Sequence, residues 1–445
     1  MGYRAYPEYK DSGVEWLGRV PADWEVRRLK FSSCLINEKV DAQDSTLEYL
    51  SLEHIESCTG KRIADDTSTS EGITSKFSPN DVLFGKLRPY LAKVWLADGH
   101  GVATTEALVI RPDNEVIGSF LKYFMLSCDF IDVVNGSTYG SKMPRANWDF
   151  IGNLSMLIPA IEEQRQIAQF LDHKTAQIDR LIEKKQELIE KLQEERVTII
   201  TQVVTRGLTP TITLKDSGVE WLGKIPRHWQ CVGFTKSISS QVDYRGKTPE
   251  KVQEGVFLVT AKNIKDGTIN YELSKEYVRD DQYDEIMSRG KPEIGDLLFT
   301  TEAPLGEVAN IDRTDIALAQ RVIKFRGEAT KLDNYFARYW FMSRPFQDHL
   351  KSLATGSTAL GIKASKLFEL RIALPPFEEQ VSIRNFLDER LQALTATEAK
   401  ITEAIESLQE YRTALITAAV TGQIDVRDWQ APEPIQESEA DKEVA

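Results

Sequence analysis

The sequence predicts an α+β protein: two mixed α/β modules separated by two long antiparallel coiled-coil helices, with a pseudo-twofold internal repeat. Three observations predict this. The nonamer KDSGVEWLG occurs at residues 10–18 and again, letter for letter, at 215–223. Two stretches carry apolar residues at every seventh position. The segments between them alternate strand-like and helix-like patterns. The boundaries that follow are a first module over 1–159, a first helix over 160–207, a second module over 208–375, a second helix over 376–424 and an acidic tail over 425–445.

The repeat runs well beyond the nonamer. GRVPADW ends at Trp24 and GKIPRHW at Trp229, still offset by 205 residues. NDVLFGKLRPYLAKV (80–94) faces GDLLFTTEAPLGEVA (295–309) at an offset of 215, and IEEQRQIAQFLDHKTAQI (161–178) faces FEEQVSIRNFLDERLQAL (377–394) at 216. The offset drifts only inside the modules, so insertions and deletions are concentrated there. Two copies that keep their ends and vary their middles suggest one scaffold carrying two binding specificities.

The shared ends read as helices. Leu387, Leu394, Ile401, Leu408 and Leu415 recur every seven residues, and Leu171, Ile178, Lys185, Leu192 and Ile199 hold the equivalent positions. Five heptads with one polar break predict a coiled coil. Pro159, and Pro375 with Pro376, precede the helices, EEQ supplies acids to each first turn, and Gly207 and Gly422 follow the last turns. About 45 residues at 1.5 Å each span roughly 65 Å. Antiparallel pairing would hold the modules at opposite ends, making the helices a spacer. Within the modules, TTEALVIRP (104–112), LAQRVIKFRG (318–327), DVLF (81–84) and DLLF (296–299) read as strands. GSFLKYFMLSCDFIDVV (118–134) and DNYFARYWFMSRPFQDHL (333–350) read as short apolar helices.

Of the 445 residues, 41% are hydrophobic and 28% charged, as in ordinary soluble proteins. The net charge of −13 argues against wrapping nucleic acid by general electrostatics, so the local charge distribution must identify the partner. Cys34, Cys58, Cys128 and Cys231 lie far apart without metal-ligand spacing and read as reduced thiols. No apolar run reaches membrane-spanning length and the first residues hold no signal peptide, so a cytoplasmic protein with no membrane contact is expected. The stretch QAPEPIQESEADKEVA (430–445) reads as disordered.

Catalytic motifs are imitations. RGKTP (245–249) contains GKT, but a phosphate loop needs glycine where Gln241 stands. LPPF (374–377) has the outline of an amino-methyltransferase motif, yet Leu374 occupies the position that must hold the target amino group. Asp113 could open a nuclease site, but the next ExK, Glu183 to Lys185, falls on the coiled coil. No catalytic residue and no metal ligand is therefore assigned. Polar loops remain. The first module offers Lys86, Arg88, Tyr90 and Lys93, then Ser137, Thr138, Tyr139, Lys142 and Arg145. The second offers Tyr244, Arg245 and Lys247, then Lys262 and Asn263 (with Lys265), then Ser357, Thr358, Lys363 and Lys366. Glycine beside hydroxyl and basic side chains suits phosphate contacts, and Arg, Lys and Asn suit base edges.

SGVEWLGRVPADW, FGKLRPY, TTEALVIRP and LIPAIEEQRQIAQFLDHKTAQID, with partial counterparts in the second half, resemble the specificity subunit of Type I restriction–modification systems over residues 7 to about 425. The resemblance implies a non-catalytic DNA reader. Each module would be a target recognition domain for one half of a bipartite, asymmetric sequence in double-stranded DNA. The helices would be spacer and docking surface for two methyltransferase subunits. Those subunits carry S-adenosylmethionine and methylate adenine. Up to two motor-nuclease subunits, with ATP and Mg, join for cleavage, and this chain would hold no cofactor. FTTEAPLG departs from FGKLRPYL, so the DNA-contact role expected of Lys86 and Arg88 does not pass to Thr301 and Ala303. The other reading left open is a scaffold or adaptor whose two modules bind protein. Affinity for duplex DNA that falls steeply with salt would count against it.

Overall fold

The computed structural model describes residues 3–42, 47–63, 72–138, 143–244, 249–356 and 360–431. Its long helices run over Ile161–Arg206 and Phe377–Val420. Contacts divide the chain into two units, 1–185 with 402–445 and 186–401, so each unit takes one module and part of both helices.

In the first unit the nonamer lies in a hairpin, Tyr9–Asp11 against Arg19–Pro21. Glu25–Arg28 pairs with Ser155–Ile158, so the module enters and leaves on adjacent antiparallel strands. Between them stands an antiparallel sheet ordered Ser33–Leu35, Ala107–Pro112, Val82–Gly85, Val94–Leu96. A second sheet is ordered Lys39–Asp41, Ile73–Phe77, Gly101–Thr104, Glu48–Leu50, with its last pair parallel. The second unit repeats the plan. Its hairpin is Leu214–Asp216 with Lys224–Pro226, and its entry and exit strands are Gln230–Gly233 and Arg371–Leu374. Its main sheet is ordered Ile238–Asp243, Val322–Gly327, Leu297–Thr301, Leu305–Asn310. A three-stranded sheet, Tyr277–Val278, Val256–Val259, Ile316–Leu318, replaces the second four-stranded one.

The nonamer is spelled twice because it does the same job twice. Leu17 joins a core with Leu415, Ile416 and Ala419 near the end of the second long helix. Leu222 joins Ile200, Val203 and Val204 near the end of the first. Trp24 and Trp229, at the close of each extended repeat, are almost wholly buried. Gly422 ends the second helix at φ +73°, and a Cβ there would meet Pro21 at 2.4 Å, so this stop requires glycine.

The helices pair antiparallel within each unit. Arg412 donates to Asp179 (2.9 Å) in the first, and Gln193 donates to Glu398 (3.0 Å) in the second. Of the heptad positions, Leu171, Ile178, Leu387, Leu394, Ile401 and Leu415 are buried, while Leu192, Ile199, Leu408 and the polar break Lys185 are half-buried.

Two expectations are corrected. Each apolar helix is broken in two, as Gly118–Leu126 with Cys128–Gly136 and Asn334–Met342 with Arg344–Leu353. The breaks fall at Ser127 and Ser343, whose backbones are extended and whose hydroxyls donate to the Phe124 and Trp340 carbonyls, each at 2.6 Å. The acidic tail also begins later than Asp425. That residue pairs with Arg4, and Trp429 sets its ring 5.4 Å from Phe170, apolar surface enough to order residues 425–431. Residues 432–445 lie outside the described residues.

Candidate nucleic-acid interface

A loop frame recurs in both modules with different side chains. In the first, the chain leaves the strand Val82–Gly85 through Lys86–Pro89. Lys86 N–H donates to the Glu106 carbonyl, Ala146 N–H to the Lys86 carbonyl, and Arg88 N–H to the Pro144 carbonyl, each at 2.9 Å. In the second, Thr301 N–H donates to the Arg321 carbonyl and Ile362 N–H to the Thr301 carbonyl, each at 3.0 Å. Leu87 bridges Arg145 as Glu302 bridges Gly361. Arg88 (φ +51°) and Ala303 (φ +48°) both adopt the left-handed region, which costs a residue with a Cβ about 1–2 kcal/mol. Strain imposed at the same point of two divergent loops is a mark of a functional segment. The frame therefore equates Lys86 with Thr301, Leu87 with Glu302, Arg88 with Ala303, Glu106 with Arg321 and Arg145 with Gly361.

The first module lines this frame with cations. Lys86 is half-buried, and Arg88 and Tyr90 are exposed. Arg145 pairs with Glu106 at 3.1 Å. Lys39, absent from the sequence-based set, donates to Ser75 Oγ at 2.7 Å. Partial burial and then the charge of Lys86 hold its ammonium below the usual lysine range. Four cations against one carboxylate suit an acceptor-rich surface such as phosphates and guanine edges. The second module has no cation at 301–303. Thr301, Glu302, Gln320, Arg321 and Lys363 instead line a cavity of about 540 Å³, with Glu302 and Arg321 3.9 Å apart.

The other expected contacts divide. Ser137 and Thr138 end the helix Cys128–Gly136, their hydroxyls donating to the Val134 and Asn135 carbonyls. That helix packs beside the Pro89–Leu91 turn, which brings them to the flank of Tyr90. Lys262 is exposed, and Lys366 pairs with Glu369 at 2.6 Å. Three residues are used by the fold. Lys93 donates to the Leu52 carbonyl at 2.6 Å. Tyr244 is buried and donates to the Gly290 carbonyl at 2.5 Å. Asn263 is wholly buried, accepting from Thr260 and donating to the Asn270 and Ser274 carbonyls. Burial with every polar group satisfied removes Tyr244 and Asn263 from the set of contacts. Tyr139, Lys142, Arg245, Lys247, Ser357 and Thr358 lie outside the described residues.

Sequence reasoning missed Glu302, Gln320 and Arg321 because it followed loops in which glycine stands beside hydroxyl and basic side chains, and these three lie outside such loops. The signal was present: aligning TTEALVIRP with LAQRVIKFRG sets Glu106 against Arg321, a reversal of charge. Among the described residues, no three or more His, Cys, Asp or Glu gather so as to hold a metal ion, and no helix is long and apolar enough to cross a membrane.

The family described as Type I restriction modification DNA specificity domain matches residues 60–191 and 251–407. The MjaVIII Type I restriction enzyme specificity subunit of Methanocaldococcus jannaschii is 25% identical over 438 residues, covering 92% of this chain and 95% of that protein. The EcoBI specificity subunit of Escherichia coli is 20% identical, covering 80% of this chain and 76% of its own length. Among solved structures, a chain from a study of complex assembly and conformational transition of the type I R-M system superposes with a TM-score of 0.69 at 20% identity, covering 90% of this chain and 98% of that one. The HsdS subunit of Thermoanaerobacter tengcongensis has a TM-score of 0.50 at 21% identity, covering 91% and 98%.

Proposed function

The chain belongs to the Type I restriction modification DNA specificity family, and from that premise we propose that its two modules read the two halves of a bipartite, asymmetric sequence in double-stranded DNA. The observation that carries the reading is the shared loop frame. One backbone arrangement, with two equivalent hydrogen bonds and a left-handed residue at the same point, places Lys86 and Arg88 in one module and Thr301 and Ala303 in the other. A frame kept while its side chains change is what two specificities on one scaffold require.

In this reading the chain contributes recognition and no chemistry. Two methyltransferase subunits dock on the hairpins and long helices, bring S-adenosylmethionine and methylate adenine. Motor-nuclease subunits, with ATP and Mg, complete the assembly for cleavage. The repeated hairpin supports equivalent docking, since Leu17 and Leu222 join their modules to helix ends in the same way. The partners' own cations would also share in phosphate neutralisation, which accommodates a chain of net charge −13.

The test is a segment exchange. Residues 230–370 are replaced by the equivalent segment of a relative with a different target, and the methylated sequence is mapped in cells that also express the methyltransferase. One half of the motif changes and the other persists. If both halves change, or neither, the modular reading fails.

A further inference from the structure

The cavity of the second module holds a feature that general DNA affinity does not explain. Glu302 places a carboxylate in it, with its side chain 45% exposed. A carboxylate near a phosphate backbone is repelled, so on a DNA-facing surface it weakens binding unless a base uses it. We propose that the Glu302–Arg321 pair reads one C·G base pair in the major groove of the half-site contacted by the second module. Glu302 accepts from the cytosine N4 amino group, and Arg321 donates to the guanine O6 and N7. The proposal rests on the DNA-reading function above and names the residues that set one letter of the target.

The chemistry selects this pair. A carboxylate is an acceptor only, so it is served by a base edge that offers a donor. Thymine offers the O4 acceptor and guanine offers O6 and N7, and both repel it. Adenine offers its N6 amino group beside the N7 acceptor, which would face the carboxylate's second oxygen. Cytosine offers N4 with no acceptor next to it, and its partner guanine supplies the acceptors a guanidinium needs. Carboxylate and guanidinium stand 3.9 Å apart, a neighbouring donor–acceptor couple on the scale of a base-pair edge. Arg321 is 50% exposed in its side chain, so the pair is open on the cavity side. Lys363 lines the same cavity, is exposed and suits a flanking phosphate. The equivalent positions of the first module, Leu87 and Glu106, cannot form this couple, because Leu87 has no polar group and Glu106 is paired with Arg145. Each loop would thus specify a different letter from one frame.

The experiment maps the methylated motif in cells carrying the full chain and its methyltransferase, for wild type, Glu302→Gln and Glu302→Ala, with thermal melting of each purified complex. Wild type is expected to show an invariant C·G pair in one half of the motif. Glu302→Ala should lose discrimination at that pair by about ten-fold or more, Glu302→Gln by less, and every other position should stay as it was. A motif unchanged in both variants overturns the proposal, as does a change confined to the other half. If Glu302→Ala abolishes methylation, competition binding of the complex to duplexes bearing each base pair at that position decides. Loss that is uniform over all duplexes overturns the assignment. A wild-type complex that methylates no bipartite motif would instead overturn the function on which the proposal rests.

Discussion

The two modules solve one packing problem with different charges. In each, an aspartate ends the turn before the central strand and takes an arginine from the neighbouring strand. Asp81 binds Arg111 through two bonds of 2.7 Å, and Asp296 binds Arg326 at 2.7 and 2.8 Å. The second module adds a buried cation. Lys324, 2% exposed, stands where the first has Val109, and donates to Asp296 at 3.0 Å and to the Lys291 carbonyl at 2.8 Å. At the loop frame the asymmetry is reversed, with four cations against one carboxylate in the first module and a carboxylate–guanidinium couple in the second. The repeat therefore holds backbone geometry fixed and lets charge vary, in the core as well as on the surface.

The largest expected effect tests the core. Asp296→Asn leaves Lys324 buried against a neutral amide and should cost about 3–5 kcal/mol. Asp81→Asn leaves Arg111, which is 45% exposed and can turn to water, and should cost less, about 1–3 kcal/mol. Denaturant unfolding of both variants checks the difference, and equal losses would remove Lys324 from the argument. Acid sharpens it. Burial alone would raise the Asp296 carboxyl, but hydrogen bonds from Arg326 and Lys324 outweigh it and hold the group below the usual aspartate range. Its folded-state pKa is depressed, so its contribution is fully present above the unfolded value of about 3.9 and is lost as pH falls through the lower folded one. Asp296→Asn should abolish that part of the acid sensitivity.

The long helices and the repeated plan were legible in the sequence because both rest on periodicity, which needs no knowledge of partners. The serine breaks were read over: Pro345, in the first turn of the helix after Ser343, is a helix-start signal, whereas Ser127 has no proline beside it and acts through a single side-chain bond to a carbonyl. The candidate site was legible by loop and not by residue. Lys86, Arg88 and Arg145 were named from composition and are brought together. Asn263 was named by the same rule and proves to be a buried cap, because amide side chains serve turns as readily as base edges. Lys39 reaches the frame only through strand pairing, which no local pattern encodes, whereas Arg321 is found by aligning the two halves.

A second contrast lies where the helices clamp the modules. Arg412, 5% exposed, binds Asp179 and also donates to the Cys58 and Thr59 carbonyls, each at 2.8 Å. Its repeat equivalent, Arg196, is half-buried and donates to Thr395. Arg412→Ala should cost about 3 kcal/mol, the low end for a broken buried pair, because Lys61 still faces Asp179 at 2.8 Å. Arg196→Ala should stay within about 0.5 kcal/mol. Comparable losses in thermal melting would mean that the second clamp bears more than its contact shows.

On DNA, the double variant Lys86→Ala, Arg88→Ala should lower the salt slope of binding by nearly two units if both residues contact phosphate. It should cost about 1–3 kcal/mol and relax one position if either contacts a base. Thr301→Ala, at the site equivalent to Lys86, should leave the slope unchanged. Binding titrations of the assembled complex at several salt concentrations measure both, and a wild-type slope in the double variant would make the first loop a brace rather than a contact.

The smallest effect concerns protons. Lys39 is held below the usual lysine range by partial burial and by Lys86, and a phosphate placed between the two ammonium groups would offset that repulsion. DNA binding should then draw a fraction of a proton onto Lys39. Stabilisation of the charged form is available below its depressed value and is lost as pH rises through it, so affinity should weaken with rising alkalinity before an ordinary lysine titrates. Replacing Lys86 with methionine removes the repulsion and returns Lys39 toward the ordinary range. The affinity of that variant should be lower overall and should hold to higher pH before it weakens. Lys39→Met should flatten the profile, since the titrating group is gone. Profiles that run parallel to wild type in both variants would place the phosphate elsewhere on the module.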